Sequence, residues 1–396
     1  MDIQLQSSFF FQDPYPTYAR MRSTEGPYWL GIENQTSLNG IWLFSRYEDA
    51  LSIFKNSSTF SKNVRSVRLP QYQSPFDLIT LHRDTPDHMR QRRLVADFFS
   101  TRSVHVMESR VTKLCSEHLD SLSLMSDVDI ISEYADLIPL TVILDMMGIP
   151  LSDSRRIRSW SMILSDGFDS TITTPEVLQK HLQALREFLA YVKYIISKSK
   201  HKPKDDLLGY LVRAQEEGKL NDEELIAMVG FLIFAGHETT VGLIGNGILL
   251  LLKHTNQLDI LRERPQLIVD AIEEILRFES PEQRSSFRVT TDSIVIGEMR
   301  VEKGQQVGVI IGSANRDERT FPFPDTFDIS RKPNRHLAFG LGIHQCLGMH
   351  LARMQARISI SAFIERFPTA QLSKNKPEWR KNSFFRSLMN LPVKLK

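Results

Sequence analysis

Cysteine is scarce in this sequence: its 396 residues include two, Cys115 and Cys346. A disulfide scaffold is thereby excluded, and a reducing, intracellular setting is favoured. A surplus of one charge is also missing, because 49 Lys+Arg face 47 Asp+Glu. Nucleic-acid binders normally carry a basic excess, so that class is disfavoured. No glycine- or serine-rich linker divides the chain, and no internal repeat is present. The opening MDIQLQSSFFFQDPYP holds an apolar run of only three phenylalanines, whereas a signal peptide needs about 7–15 apolar residues. The one long apolar stretch, 231–252, is interrupted by His237, Glu238, Thr239, Thr240 and Asn246. A membrane anchor needs about 20 largely uninterrupted apolar residues. The stretch therefore reads as a helix buried through a large core, with a polar feature at its middle. These absences lead us to expect a cytoplasmic protein with no membrane anchor and no nucleic-acid partner.

With 41% hydrophobic and 24% charged residues, the composition is that of a globular chain. Apolar residues recur at helical spacing over 105–122, 136–149, 177–200, 222–253, 265–278 and 347–367. Short strands are expected at 26–31, 40–44, 295–301, 305–311 and 390–396. The polar stretch 199–206 is read as a surface loop. The expected fold is mainly α with small β-sheets, as a single domain over 1–396.

Three segments carry chemistry. Asn221 and Glu224 form a capping-box pattern that opens a helix of about 33 residues, roughly 50 Å long. Near its middle stand Ala235, Gly236, Glu238 and Thr239, which combine close backbone approach with a buried acid and hydroxyl. Glu274 and Arg277 lie i, i+3 on a second helix, which alone signals no more than an ion pair. The third segment, HLAFGLGIHQCLG over 336–348, sets Cys346 among glycines just before a helix, where the dipole and free N–H groups favour a thiolate. On these residues alone, Cys346 is a nucleophile with His344 as base, a metal ligand, or a buried structural cysteine. His344, Cys346 and His350 make a poor zinc set.

Taken together, these motifs resemble those of the cytochrome P450 family, in its soluble bacterial class. F-G-x-G-x-H-x-C-x-G is complete in Phe339, Gly340, Gly342, His344, Cys346 and Gly348. A-G-x-[D/E]-T-T is present from Ala235 to Thr240, and E-x-x-R in Glu274 and Arg277. The likeness runs from DPYPTYARMR through TPDHMRQRR, SANRD and FDISR to the closing LPV. It implies the cytochrome P450 fold, with a b-type haem between the long central helix and the cysteine loop. Cys346 would be the thiolate ligand of the iron, and Phe339 would pack against that loop. Gly236 would leave room for dioxygen. Thr239 would hydrogen-bond it, and Glu238 would help relay protons. His88, Arg92, Arg288 and His344 would hold the haem propionates. Glu274 and Arg277 would be structural, joined by Arg331.

The implied activity is insertion of one atom of O2 into a C–H bond of an apolar or amphipathic small molecule. Electrons would come from a ferredoxin or flavodoxin with its reductase, met by Arg90, Arg93 and Arg353. The alternatives are a peroxide-driven peroxygenase and a haem-thiolate sensor without turnover. The segment PEQRSSFR departs from the family's usual apolar or small residues. Arg284 there either turns to solvent or to Glu282, or greets an anionic or carbonyl-rich substrate. Specificity loops are expected near 62–80, 165–180, 284–288 and 382–386.

Overall fold

The periodic segments become the helices that surround the site. The structure is a computed structural model that describes residues 5–24, 26–31, 40–67, 75–169 and 174–396. Helices span Glu108–Leu122, Leu137–Met146, Pro175–His201, Ile268–Phe278 and Met349–Arg366. Further helices, among them Tyr15–Ser23, Tyr47–Lys55, Asp87–Ala96, Ser154–Asp166, Leu207–Glu216 and Thr255–Glu263, were not anticipated by the periodicity. Asn221 does close the capping box, accepting from Glu224 N at 2.8 Å while the Glu224 side chain accepts from Asn221 N.

The expected central helix is two helices, Asp222–Ala235 and Glu238–Lys253, interrupted at Gly236 and His237. Two local forces and one long-range contact converge on that break. Glycine is a weak helix former. The Thr239 hydroxyl donates to Ala235 O at 3.4 Å, a side-chain competitor of the kind that bends helices. The His237 ring is anchored sideways to buried Asp136, Nε2 to Oδ1 at 2.6 Å. By length and composition, Asp222–Lys253 is apolar enough to cross a membrane, but 72% of its most apolar window is buried inside the fold.

Behind these helices, Met349–Arg366 packs on Glu108–Leu122 and on Glu238–Lys253. Asn246 is polar at the centre of this layer. Its Nδ2 donates to Glu279 O at 3.2 Å and to Arg386 O at 2.8 Å, tying the helix to two loops.

The main sheet runs in the order Tyr28–Gly31, Gly40–Phe44, Gln306–Val309, Arg288–Thr290, Phe60–Ser61. Gly40–Phe44 and Gln306–Val309 pair in parallel, Trp42 opposite Val307 and Phe44 opposite Val309, and the other pairs are antiparallel. The segment expected at 295–301 is a hairpin of Ile294–Ile296 and Met299–Val301, turning at Gly297 with φ 59°. The C-terminal strand Pro392–Lys394 lies between Asp127–Asp129 and Gln371–Leu372. Strands that begin before residue 62 thus share a sheet with strands after residue 287, and this positions both Lys62 and Arg288 at one cavity.

Candidate active site

A large cavity lies between the broken helix pair and the loop that precedes Met349–Arg366. Cys346, Phe339, Gly340, His344 and Gly348 line one side, and Ala235, Gly236 and Thr239 line the other. His88, Arg92 and Arg288 line it as well, so of the expected site residues only Glu238 is absent from its wall.

The cysteine loop is shaped by backbone contacts that its sequence permits. Gly340 and Gly342 have φ of 63° and 77°, in the left-handed region that favours glycine. A Cβ on Gly342 would stand 2.6 Å from the Phe54 carbonyl oxygen, so another element presses on the loop there. By contrast, a Cβ on Gly340 or Gly348 would meet nothing within 4 Å. Cys346 N–H donates to Phe339 O at 2.9 Å and closes the loop. Arg92 Nη2 donates to Gln345 O at 2.7 Å, and Arg353 stacks over Phe339 at 4.5 Å.

The sequence suggested a thiol held low by the helix start. Cys346 is open to the cavity, yet desolvation by its depth in the fold, with the charge of Glu282, pushes it up to about 11 against the Gly348 N–H and the charges of Arg92 and Arg353. Desolvation outweighs the dipole here, and a coordinated cation would reverse it. The second cysteine, Cys115, is buried in the helical core with Sγ 3.5 Å from Ser359 Oγ, and it does not line the cavity.

Basic side chains with no direct carboxylate partner among the described residues gather along one side of the cavity. The rings of His88 and His344 lie 4.3 Å apart. Both ring nitrogens of His88, Nε2 of His344 and Nη1 of Arg288 are buried with no hydrogen-bond partner among the described residues. Burial, followed by the positive charges of Lys62, His88, Arg288 and Arg92, drives His344 down to about 2. Burial likewise lowers Arg288 to about 10, partly offset by Glu282. Lys62 was missed in the sequence because it sits in no motif. It is 1% exposed, and its ammonium donates to Ser286 Oγ, to Ser286 O at 3.1 Å and to Phe287 O at 3.4 Å. Buried donors of this kind are costly unless an acceptor meets them. The arrangement fits a planar group with carboxylates at one edge, bound through the thiol below and fitting into the space beside Gly340 and Gly348.

On the opposite wall Thr239 presents its hydroxyl, but Glu238 turns away. Its carboxylate is ion-paired with Arg380 and accepts from Ser387 Oγ at 3.3 Å. Arg380 also donates to Asp166 Oδ1 at 2.7 Å and to Ser165 Oγ at 2.9 Å. Gly236 has a packing reason of its own: a Cβ would lie 3.1 Å from both Ile143 and Leu232 O.

Glu274 and Arg277 are fully buried in a bidentate pair at 2.8 Å. Glu274 also accepts from Arg331 Nε at 3.2 Å and from Asn334 Nδ2 at 3.1 Å, while Arg277 donates to Asn315 O at 3.0 Å. They do not line the cavity. Arg284 follows neither expectation. It is buried, pairs with Asp169 at 2.9 Å, stands over Phe384 at 5.7 Å, and does not line the cavity. From the expected specificity loops, Lys62, Thr80, Phe168, Ser285, Ser286, Phe384 and Phe385 line the cavity. The portions 68–74 and 170–173 lie outside the described residues. Of the three arginines expected to meet a partner, Arg90 is paired with Glu224 and Asp87, and Arg353 with Glu273, while Arg93 is exposed.

Residues 164–396 match the family model described as Cytochrome P450. A Bacillus subtilis (strain 168) protein named Cytochrome P450 is 37% identical over 401 residues, covering 98% of this chain and 96% of its own. Cytochrome P450 107B1 of Saccharopolyspora erythraea is 39% identical, with 97% and 96% covered. The crystal structure of the myxobacterial cytochrome P450 CYP267B1 in complex with myristic acid superposes with a TM-score of 0.92 at 33% identity, covering 100% of both chains. A cysteine loop facing a broken helix across a cation-edged cavity, in a chain this similar to its relatives over its whole length, belongs to the cytochrome P450 family.

Proposed function

We propose that this monooxygenase inserts one atom of O2 into a C–H bond of an apolar or amphipathic small molecule, with electrons delivered by a separate ferredoxin or flavodoxin. Its membership of the family makes it a haem-dependent oxidoreductase that acts with O2 on small molecules. The observation that supports the reading is the juxtaposition of Cys346 and Thr239 across one cavity, with unpartnered donors along its edge.

Cys346 Sγ would ligate the iron. His88, Arg92, Arg288 and His344 would receive the two propionates, with Lys62 as a further positive charge. When bound, the haem supplies dioxygen activation. A b-type, non-covalent group fits because thioether attachment needs cysteines beside the ligand, and Cys115 is in the core. Thr239 Oγ1 would hold a proton at the reacting oxygen. Glu238, one residue earlier, is the acid behind it, and its link to Arg380 must loosen before its carboxyl can carry a proton forward. Phe168, Phe231, Phe234 and Phe385 line the cavity, which suits a long apolar substrate body. Exposed Arg93 is the arginine best placed to steer an acidic electron donor. We read residues 1–396 as one domain, supported by the sheet that joins early and late strands, and the protein as cytoplasmic.

The test is incorporation of labelled oxygen from O2 into a long-chain substrate, driven by a reduced ferredoxin. Label in the product with reductant and O2 supports monooxygenation. Equal turnover with peroxide alone would make it a peroxygenase, and spin-state change without product would make it a sensor.

A further inference from the structure

Four buried acids packed near the cavity each have a cation. Glu238 has Arg380, Glu279 has Arg386, Glu274 has Arg277 and Asp169 has Arg284. Half-buried Glu282 lines the cavity, and among the described residues it feels the charges of Lys62 and Arg288 without a direct hydrogen bond or ion pair to either. Its position is fixed by backbone. Arg386 N–H donates to Pro281 O at 2.7 Å, Gln283 N–H donates to Phe384 O at 2.7 Å, and Glu282 itself bridges to Phe385.

The nearest cations do not complete it. Lys62 has three N–H groups and directs all of them at Ser286 and Phe287. Arg288 stacks over the Phe54 ring at 4.9 Å and belongs to the set assigned to the propionates. Burial pushes the Glu282 carboxyl up to about 7 even against the charges of Lys62 and Arg288. A carboxylate in an aromatic cavity is costly until something compensates it, and of the molecules that enter this cavity beside the cofactor, dioxygen carries no charge while the substrate can carry a positive one.

We propose that Glu282 is the specificity-determining residue of the substrate pocket and selects an amphipathic molecule bearing an organic cation, such as a substituted ammonium, on a long apolar body. This rests on the monooxygenase reading above and names its substrate class. It also reverses the sign of the charge that Arg284 suggested, since Arg284 is neutralised by Asp169 outside the cavity while Glu282, two residues earlier, faces in.

The probes are dodecyltrimethylammonium, which has no nitrogen lone pair to offer the iron, and neutral dodecanol of the same chain length. Spectral titration of the haem-loaded wild type should show tighter binding of the cation. Glu282→Gln should weaken the cation about ten- to hundredfold, the range for one charge-assisted contact, and leave dodecanol within about twofold. Glu282→Asp should recover part of the loss. Equal changes for the two probes, or a wild type that does not prefer the cation, would overturn the proposal. So would loss of haem from Glu282→Gln, which would place the residue at the cofactor instead. The carbon monoxide difference spectrum and ferredoxin-driven turnover of a neutral substrate, measured on the same samples, report separately on the monooxygenase reading.

Discussion

Arg380 holds together the two charges behind the broken helix, so Arg380→Met isolates what that arrangement contributes. The guanidinium is 7% exposed and its partner Glu238 is 8% exposed, whereas Asp166 is 42% exposed. Removing the cation leaves Glu238 buried with only the Ser387 hydroxyl as partner. Loss of one member of a buried pair typically costs about 3–5 kcal/mol. The half-exposed Asp166 adds little, because solvent screens it to about 0–1 kcal/mol. A destabilisation of about 3–5 kcal/mol is therefore expected, a large fraction of a stability of about 5–15 kcal/mol. Urea unfolding at neutral pH reads it as a lowered midpoint at constant slope. Glu238→Gln in the Arg380→Met background should recover part of the loss, because the uncompensated charge is gone. A loss below about 1 kcal/mol, with no recovery in the double variant, would refute the reasoning and show that water reaches the pair.

Thr239→Ala should bind haem and substrate and still consume electrons, but its product per electron should fall, with the balance recovered as hydrogen peroxide. General acid–base assistance is worth about 10²–10⁴-fold, and full coupling in the variant would remove Thr239 from the mechanism. A second expectation concerns acid. Burial raises the Glu273 carboxyl, but His336 and Arg353 outweigh it and hold it from 4.5 down to about 2. A depressed carboxyl contributes stability that is present above the unfolded value and lost as pH falls through the folded one. Glu273→Gln should therefore be less stable than wild type at neutral pH, and the gap should close as pH drops from 4.5 towards 2. A gap that does not change with pH would exclude this pairing as its origin.

The long helices around the site were legible because apolar residues recur along them at helical spacing, and the cysteine loop because its glycines are demanded by φ and by the Phe54 carbonyl. The Asp87–Ala96 helix escaped periodicity for a physical reason. Of its three buried residues, His88 and Gln91 are polar, so its inward face does not read as apolar. The break at Gly236 and His237 escaped because Asp136, which anchors His237, is 101 residues away in sequence. Arg284 was misread on the same ground, its partner Asp169 lying 115 residues earlier. Lys62 and Glu282 reach the cavity only through a sheet that pairs Phe60–Ser61 with Arg288–Thr290 and through the bridge to Phe385. Pairings of that range leave no local pattern. The thiol of Cys346 shows the converse, a local rule outweighed by its depth at a cavity that only the folded structure supplies.

The central claim is that Cys346 is the iron's thiolate ligand, and the carbon monoxide difference spectrum of the reduced protein tests it most directly. Wild type and Cys115→Ser should both show the red-shifted Soret band of thiolate ligation, and Cys346→Ser should lose it while remaining folded by circular dichroism. Retention of the band in Cys346→Ser, or its loss in Cys115→Ser, would contradict the account.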